Sequence, residues 1–112
     1  MKNTIEKIRK FRDDREWMQF HDPKNMAIGV VLEATELLEH FQWKDKKEAE
    51  EYVADHKEEV SDEIADVAIY LVELADNLGI DLEKAMEAKL AKNALKYPIE
   101  KSRGRTTKYN KL

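Results

Sequence analysis

Glu33-x-x-Glu36 and Glu63-x-x-Asp66 each set two carboxylates three residues apart in strongly apolar surroundings. On a helix, residues three apart share a face, so each pair aims two negative groups the same way. Like charges so placed repel, and burial deepens the repulsion. Two such pairs facing one another are costly unless a cation binds between them. Carboxylate oxygens are the ligands that Mg²⁺ or Mn²⁺ prefers, and Mg²⁺ usually arrives with phosphates. The spacing therefore predicts metal-assisted phosphate chemistry on a helical scaffold.

The elements that must position these acids are also legible. A first helix is expected from about Asn3 or Thr4 to about Met18, with Ile5, Ile8, Phe11 and Met18 inward. His21-Asp22-Pro23 breaks it, and Asp22 can cap a second helix with Pro23 at its first position. That helix, to about Phe41 or Gln42, is apolar nearly all round, as buried helices are. At about 100° per residue, Glu33, Glu36 and His40 share its one polar edge. A third helical region is expected from about Glu48 to Leu78, with a kink near Asp55 to Lys57 and a stop at Gly79. Val60, Ile64, Val67, Leu71, Leu74, Ala75 and Leu78 form its core stripe. Glu59, Glu63, Asp66 and Tyr70 form a second stripe about 90° away. Asp81 caps a fourth helix to about Leu95, with Leu82, Ala85, Met86 and Leu90 inward, and Tyr97-Pro98 ends it. The fold class is all-α, an antiparallel four-helix bundle assembling as a homo-oligomer that buries the apolar second helix. The tail from Ile99 is expected to order against substrate or a partner subunit.

Composition fits that reading. The chain has 112 residues, 42% hydrophobic and 39% charged, with 3 glycines and 2 prolines, so helix is favoured over strand and turn. There is no cysteine, which excludes disulfides and thiolate metal sites and suits the cytoplasm. No stretch approaches the roughly 18 apolar residues of a membrane span, so a soluble protein without a secretory leader is expected. Net charge is −4, yet from Lys89 onward eight basic residues face one acid, Glu100. An acidic body with a basic tail can bind a metal at one end and a polyanion at the other.

Competing metal chemistries lack their residues. A di-iron carboxylate bundle needs Glu-x-x-His on two helices, and Met18, Leu37 and Val53 stand three before the histidines. No histidine pair has zinc-ligand spacing, and there is no glycine-rich phosphate loop. Trp17 and Trp43 sit at helix ends beside polar neighbours, where a base could stack or the ring could simply pack.

Four segments carry a resemblance. They are Arg15-Glu16-Trp17-Met18-Gln19-Phe20-His21-Asp22-Pro23-Lys24-Asn25, then Glu33-Ala34-Thr35-Glu36-Leu37-Leu38-Glu39-His40-Phe41-Gln42-Trp43, then Glu63-Ile64-Ala65-Asp66-Val67-Ala68-Ile69-Tyr70-Leu71, and Lys89-Leu90-Ala91-Lys92-Asn93-Ala94-Leu95-Lys96-Tyr97-Pro98. In this order they resemble the all-α nucleoside triphosphate pyrophosphohydrolases, the MazG-like superfamily, and within it the small dCTP pyrophosphatase branch. The resemblance implies one domain over residues 1–112, with a basic tail from about residue 99. It implies Mg²⁺-dependent hydrolysis of a (deoxy)nucleoside triphosphate, dCTP or a modified dCTP, to monophosphate and pyrophosphate. By position, Glu33, Glu36, Glu63 and Asp66 would hold Mg²⁺, with Mn²⁺ as a substitute, and Glu36 or Glu63 would be the general base. Trp17, His21, Trp43 and Tyr70 would shape the base and sugar pocket. Lys89, Asn93, Lys96 and Tyr97 would meet the phosphates, with Arg103 a further candidate. Homodimers or homotetramers are implied, without membrane or nucleic-acid polymer as partner. Relatives often carry Gly before the first Glu and Val-Gly inside the pair; here Leu32 and Ala34-Thr35 stand there, and a narrower pocket is expected. The alternative is a non-catalytic helical module that binds an acidic partner through the basic tail.

Overall fold

The computed structural model describes residues 1–111. Six α-helices follow in order: α1 (Lys2–Asp14), α2 (Pro23–Glu39), α3 (Lys46–Asp55), α4 (Lys57–Asn77), α5 (Leu82–Lys96) and α6 (Ile99–Ser102). Two 3₁₀ turns, Met18–Phe20 and Tyr109–Lys111, complete the list, and no strand occurs among the described residues. The chain divides after Gly79 into two compact units.

The first unit is built on α4, which packs against α2 most extensively and also against α1 and α3. Three aspartates start helices by accepting a backbone N–H that the first turn leaves unpaired. Asp22 takes Asn25 N–H at 2.9 Å, with Pro23 at the first helical position. Asp45 takes Glu48 N–H at 2.8 Å to start α3, and Asp81 takes Lys84 N–H at 3.1 Å to start α5. Gly79, at φ 70°, stops α4 in the left-handed region that glycine enters without steric cost. Glu16 does the same job for α1 without being glycine, at φ 53°. The Glu16 and Trp17 N–H groups return to the Asp13 and Arg12 carbonyls at 3.0 Å each, so the turn is closed twice over and delivers Trp17 to a fixed place.

One expectation is sharpened and another corrected. The single third helix is divided at His56, whose φ of −126° leaves helical space; its ring N–H donates to the Tyr52 carbonyl at 3.0 Å, and the two rings stack 4.1 Å apart. The second concerns the core. Met26, Val60, Val72 and Ala75 are buried, but Phe11, Met18, Ile64, Leu71, Leu78, Met86 and Leu90, all expected inward, are exposed. Ile28, Val31, Leu32 and Leu38 on the apolar α2 are exposed as well. Periodicity identifies a face that water disfavours; it does not identify what covers that face.

In the second unit the tail is ordered by the chain itself. Tyr109 meets Tyr97 edge-on at 6.2 Å, and the Lys96 ammonium lies 4.8 Å over the Tyr109 ring.

Candidate functional site

The α2 and α4 pairing brings the two acidic motifs together. Carboxylate oxygens of Glu33, Glu36 and Glu63 lie within 4.8 Å of one another. Glu33 and Glu63 are half-buried and Glu36 is exposed. Glu33 Oε2 is buried with no hydrogen-bond partner. Asp66 stands one turn beyond Glu63 on α4, and its charge is felt by Glu33. Among the described residues, the ion pairs Arg9–Asp76, Lys10–Asp14, Arg12–Asp13 and Lys47–Glu51 leave all four of these acids without a cation.

The electrostatic consequence is written into their acidities. Glu63 is pushed up to about 7, first by hydrogen bonding with Glu36, then by burial and the Glu36 charge, with Asp66 and Glu33 adding to it. Glu33 is raised by burial first, then by Glu36 and the Asp66 charge. A proton held in the cluster near neutrality is the chain's own substitute for a cation. An oxygen-only donor set with an unpartnered buried oxygen fits a hard divalent cation such as Mg²⁺ or Mn²⁺.

Beside the acids lies a cavity of about 440 Å³, within the size range of small-molecule sites. Asp66 lines it, so it joins the acidic cluster to the cavity wall. Trp17, His21 and Tyr70, three of the four aromatics assigned from sequence to a base pocket, line it too. Phe11 and Trp17 meet edge-on at 5.7 Å, and Trp17 lies 6.4 Å from His21, giving the wall a continuous aromatic face. The Tyr70 ring closes on α2 at Gly29, where a Cβ would overlap it. Leu32, Ala34 and Thr35 do not line this cavity, so the narrowing expected from them does not occur there; Gly29 is the close approach instead.

The remaining sequence-assigned residues lie elsewhere. Trp43 is 86% exposed and outside the cavity wall, in the turn after α2. His40, expected on the acidic edge, is held by Tyr52, with its Nδ1 2.7 Å from the hydroxyl. Lys89, Asn93, Lys96 and Tyr97 belong to the second unit, on and just after α5, and Arg103 follows α6.

Sequence reasoning missed a polar floor beneath the cavity. His21 Nδ1 lies 2.8 and 3.0 Å from the two oxygens of Glu73, which is 4% exposed. Asn77 Nδ2 donates to Glu73 at 2.9 Å, and Arg12 donates to Asn77 Oδ1 at 2.9 Å and to Asp13 at 2.8 Å. The signal was present: Asp66, Tyr70 and Glu73 are spaced by four and three and so continue one helical face.

The sequence profile of the MazG-like family matches residues 28–112. dCTP pyrophosphatase 1 of Rattus norvegicus is 40% identical over 115 residues, covering 97% of this chain and 68% of that protein. dCTP pyrophosphatase 1 of Homo sapiens is 36% identical over the same shares. Among solved structures, a pyrophosphatase from Archaeoglobus fulgidus superposes with a TM-score of 0.84 at 43% identity, covering 88% of this chain and 92% of that one.

Proposed function

The chain belongs to the MazG-like family and is a nucleotide pyrophosphohydrolase, and from that premise we propose that it converts dCTP or a modified dCTP to the monophosphate and pyrophosphate. The observation that carries the proposal is the set of acids without a cation, joined through Asp66 to an aromatic cavity of nucleoside size. Surface charge on an interaction module would have no use for the buried, unpartnered Glu33 Oε2.

Glu33, Glu36, Glu63 and Asp66 are the proposed ligands of Mg²⁺. Bound there, the cation would neutralise charge on the phosphate oxygens and favour in-line attack of water at the α-phosphorus. The protein's part is then to accept a proton and to hold the nucleoside. Glu36 and Glu63 stand side by side in the cluster, and either is proposed to take the proton of the attacking water. Trp17 and Tyr70 flank the base and exclude water from it, and Trp43 is the proposed stacking partner at the rim. Lys89, Asn93, Lys96 and Tyr97, with Arg103 in support, are the proposed partners of the phosphates. Lys96 would have to leave the Tyr109 ring to serve. Second copies of this chain are proposed to cover the exposed apolar side chains of α2 and α4, forming a dimer or tetramer. No helix among the described residues is long and apolar enough to cross a membrane.

The test is incubation with Mg²⁺ and each common NTP and dNTP, followed by chromatography of the products. Monophosphate plus pyrophosphate, strongest with dCTP, is the expected result. Diphosphate plus phosphate would refute attack at the α-phosphorus. Turnover unchanged in Glu36→Ala would refute the site.

A further inference from the structure

The polar floor of the cavity fixes more than the position of His21. Arg12 has only donors to offer, and its Nη1 lies 2.9 Å from Asn77, so Asn77 must turn its carbonyl oxygen toward it. The Asn77 amide NH₂ therefore points the other way, to Glu73 Oε2 at 2.9 Å, which must accept. The same Oε2 lies 2.8 Å from His21 Nδ1, and Oε1 lies 3.0 Å from it. A buried carboxylate between two partners accepts from both, so the ring proton of His21 sits on Nδ1. Nε2 is then the free nitrogen of a ring that lines the cavity, and it has no hydrogen-bond partner among the described residues.

We propose that Glu73 is a positioning residue that sets the specificity of the cavity: by holding the His21 proton on Nδ1, it makes Nε2 an acceptor that reads the exocyclic amino group of an aminopyrimidine. The 4-amino group of cytosine donates to such an acceptor. The 4-keto oxygen of uracil in the same pose sets lone pair against lone pair. The identity of the base rests on the pyrophosphohydrolase reading; the His21 tautomer does not.

Glu73→Leu makes the inference testable because it removes the acceptor; a glutamine would not, since one carbonyl oxygen in the place of Oε2 can accept from both Asn77 and His21. With no acceptor at Nδ1, the ring is free to carry its proton on Nε2 and present a donor to the cavity.

The experiment has two arms at pH 8. Long-range ¹H–¹⁵N spectra of the three histidines, assigned with His21→Gln, report which nitrogen of His21 carries the proton. Wild type should show Nδ1–H, and Glu73→Leu should move the proton toward Nε2. In parallel, the ratio of kcat/KM for dCTP to that for dUTP should fall at least about tenfold in Glu73→Leu, as a reversed hydrogen bond requires. A merely structural glutamate would lower both substrates alike. Asn77→Ala leaves Glu73 accepting from His21, so it should retain the wild-type tautomer and a ratio within about twofold. Wild-type Nε2–H, or an unchanged ratio in Glu73→Leu, overturns the proposal. The wild-type spectrum decides the tautomer even where the variant fails to fold. If no nucleotide is hydrolysed, the enzymatic reading fails separately, and dCMP and dUMP titrated against the Nε2 resonance test the acceptor. A shift with dCMP and none with dUMP supports it, and equal shifts overturn it.

Discussion

Proton and divalent cation should compete for Glu63 across neutrality, and the size of the effect follows from its acidity. With Glu63 pushed up to about 7, the carboxyl is about nine-tenths protonated at pH 6, half at pH 7 and one-tenth at pH 8. A cation needs the ionised form, so its apparent affinity should be about tenfold weaker at pH 6 than at pH 8. An ordinary carboxyl, titrating near 4.5, would change it hardly at all over that range. Isothermal titration of Mg²⁺ into the nucleotide-free protein at several pH values measures this. Repeating it in buffers of different ionisation enthalpy counts the protons released, about nine-tenths of one at pH 6 and about one-tenth at pH 8. Stability without metal must move the opposite way to intuition. Glu63 and Glu33 are raised in the fold, so their favourable contribution is complete below about 4.5 and is lost as pH rises, for Glu63 through about 7. Asp13, Asp45 and Asp76 are lowered by their partners, so their contributions fail only in acid, outside this window. Metal-free protein should therefore melt lower at pH 8 than at pH 6, with Mg²⁺ reversing the order. Glu36→Gln removes the first cause of the Glu63 shift and should return its carboxyl carbon titration toward 4.5 in the metal-free protein. Mg²⁺ affinity flat between pH 6 and 8, with no proton release, would refute the reasoning.

Trp43→Ala should leave the melting temperature almost unchanged, because the ring is 86% exposed. It should raise KM for nucleotides about 5- to 100-fold, the worth of one stacked base, while cleavage of inorganic tripolyphosphate changes little. Equal loss on both substrates would mark the tryptophan as structural. Gly29→Ala drives a methyl into the Tyr70 ring and should cost about 1–3 kcal/mol in denaturant unfolding; wild-type stability would mean that Tyr70 moves freely. Asp22→Ala removes the cap of α2 and should cost about 1 kcal/mol, whereas Asp22→Asn should cost far less.

Sequence alone went furthest where one side chain meets its own helix. The caps at Asp22 and Asp81, the stop at Gly79 and the break near His56 are local rules, and each appears where it was read. The pairing of Glu33 and Glu36 with Glu63 was legible because repulsion on two helix faces implies a shared ion. What stayed hidden was set between elements. Arg12 reads as one more charge on a surface helix, yet it is buried and fixes Asn77 from 65 residues away. Glu73 reads as a solvated acid, yet only the arrival of His21 from another turn gives its burial a meaning. The exposed Phe11, Ile64 and Leu71 carry the same lesson in reverse, since a pattern names a face and not its cover.

In the proposed assembly, the bare apolar side of α2 and α4 would also tie this protein's persistence to its abundance. Four buried hydrophobic side chains among the described residues are a slender interior for a folded chain. A protomer whose remaining apolar surface is closed by its own copies gains stability as the logarithm of their concentration. Dilution then acts as a denaturant. A falling rate of synthesis would lower the folded fraction of the chains already made, as well as their number.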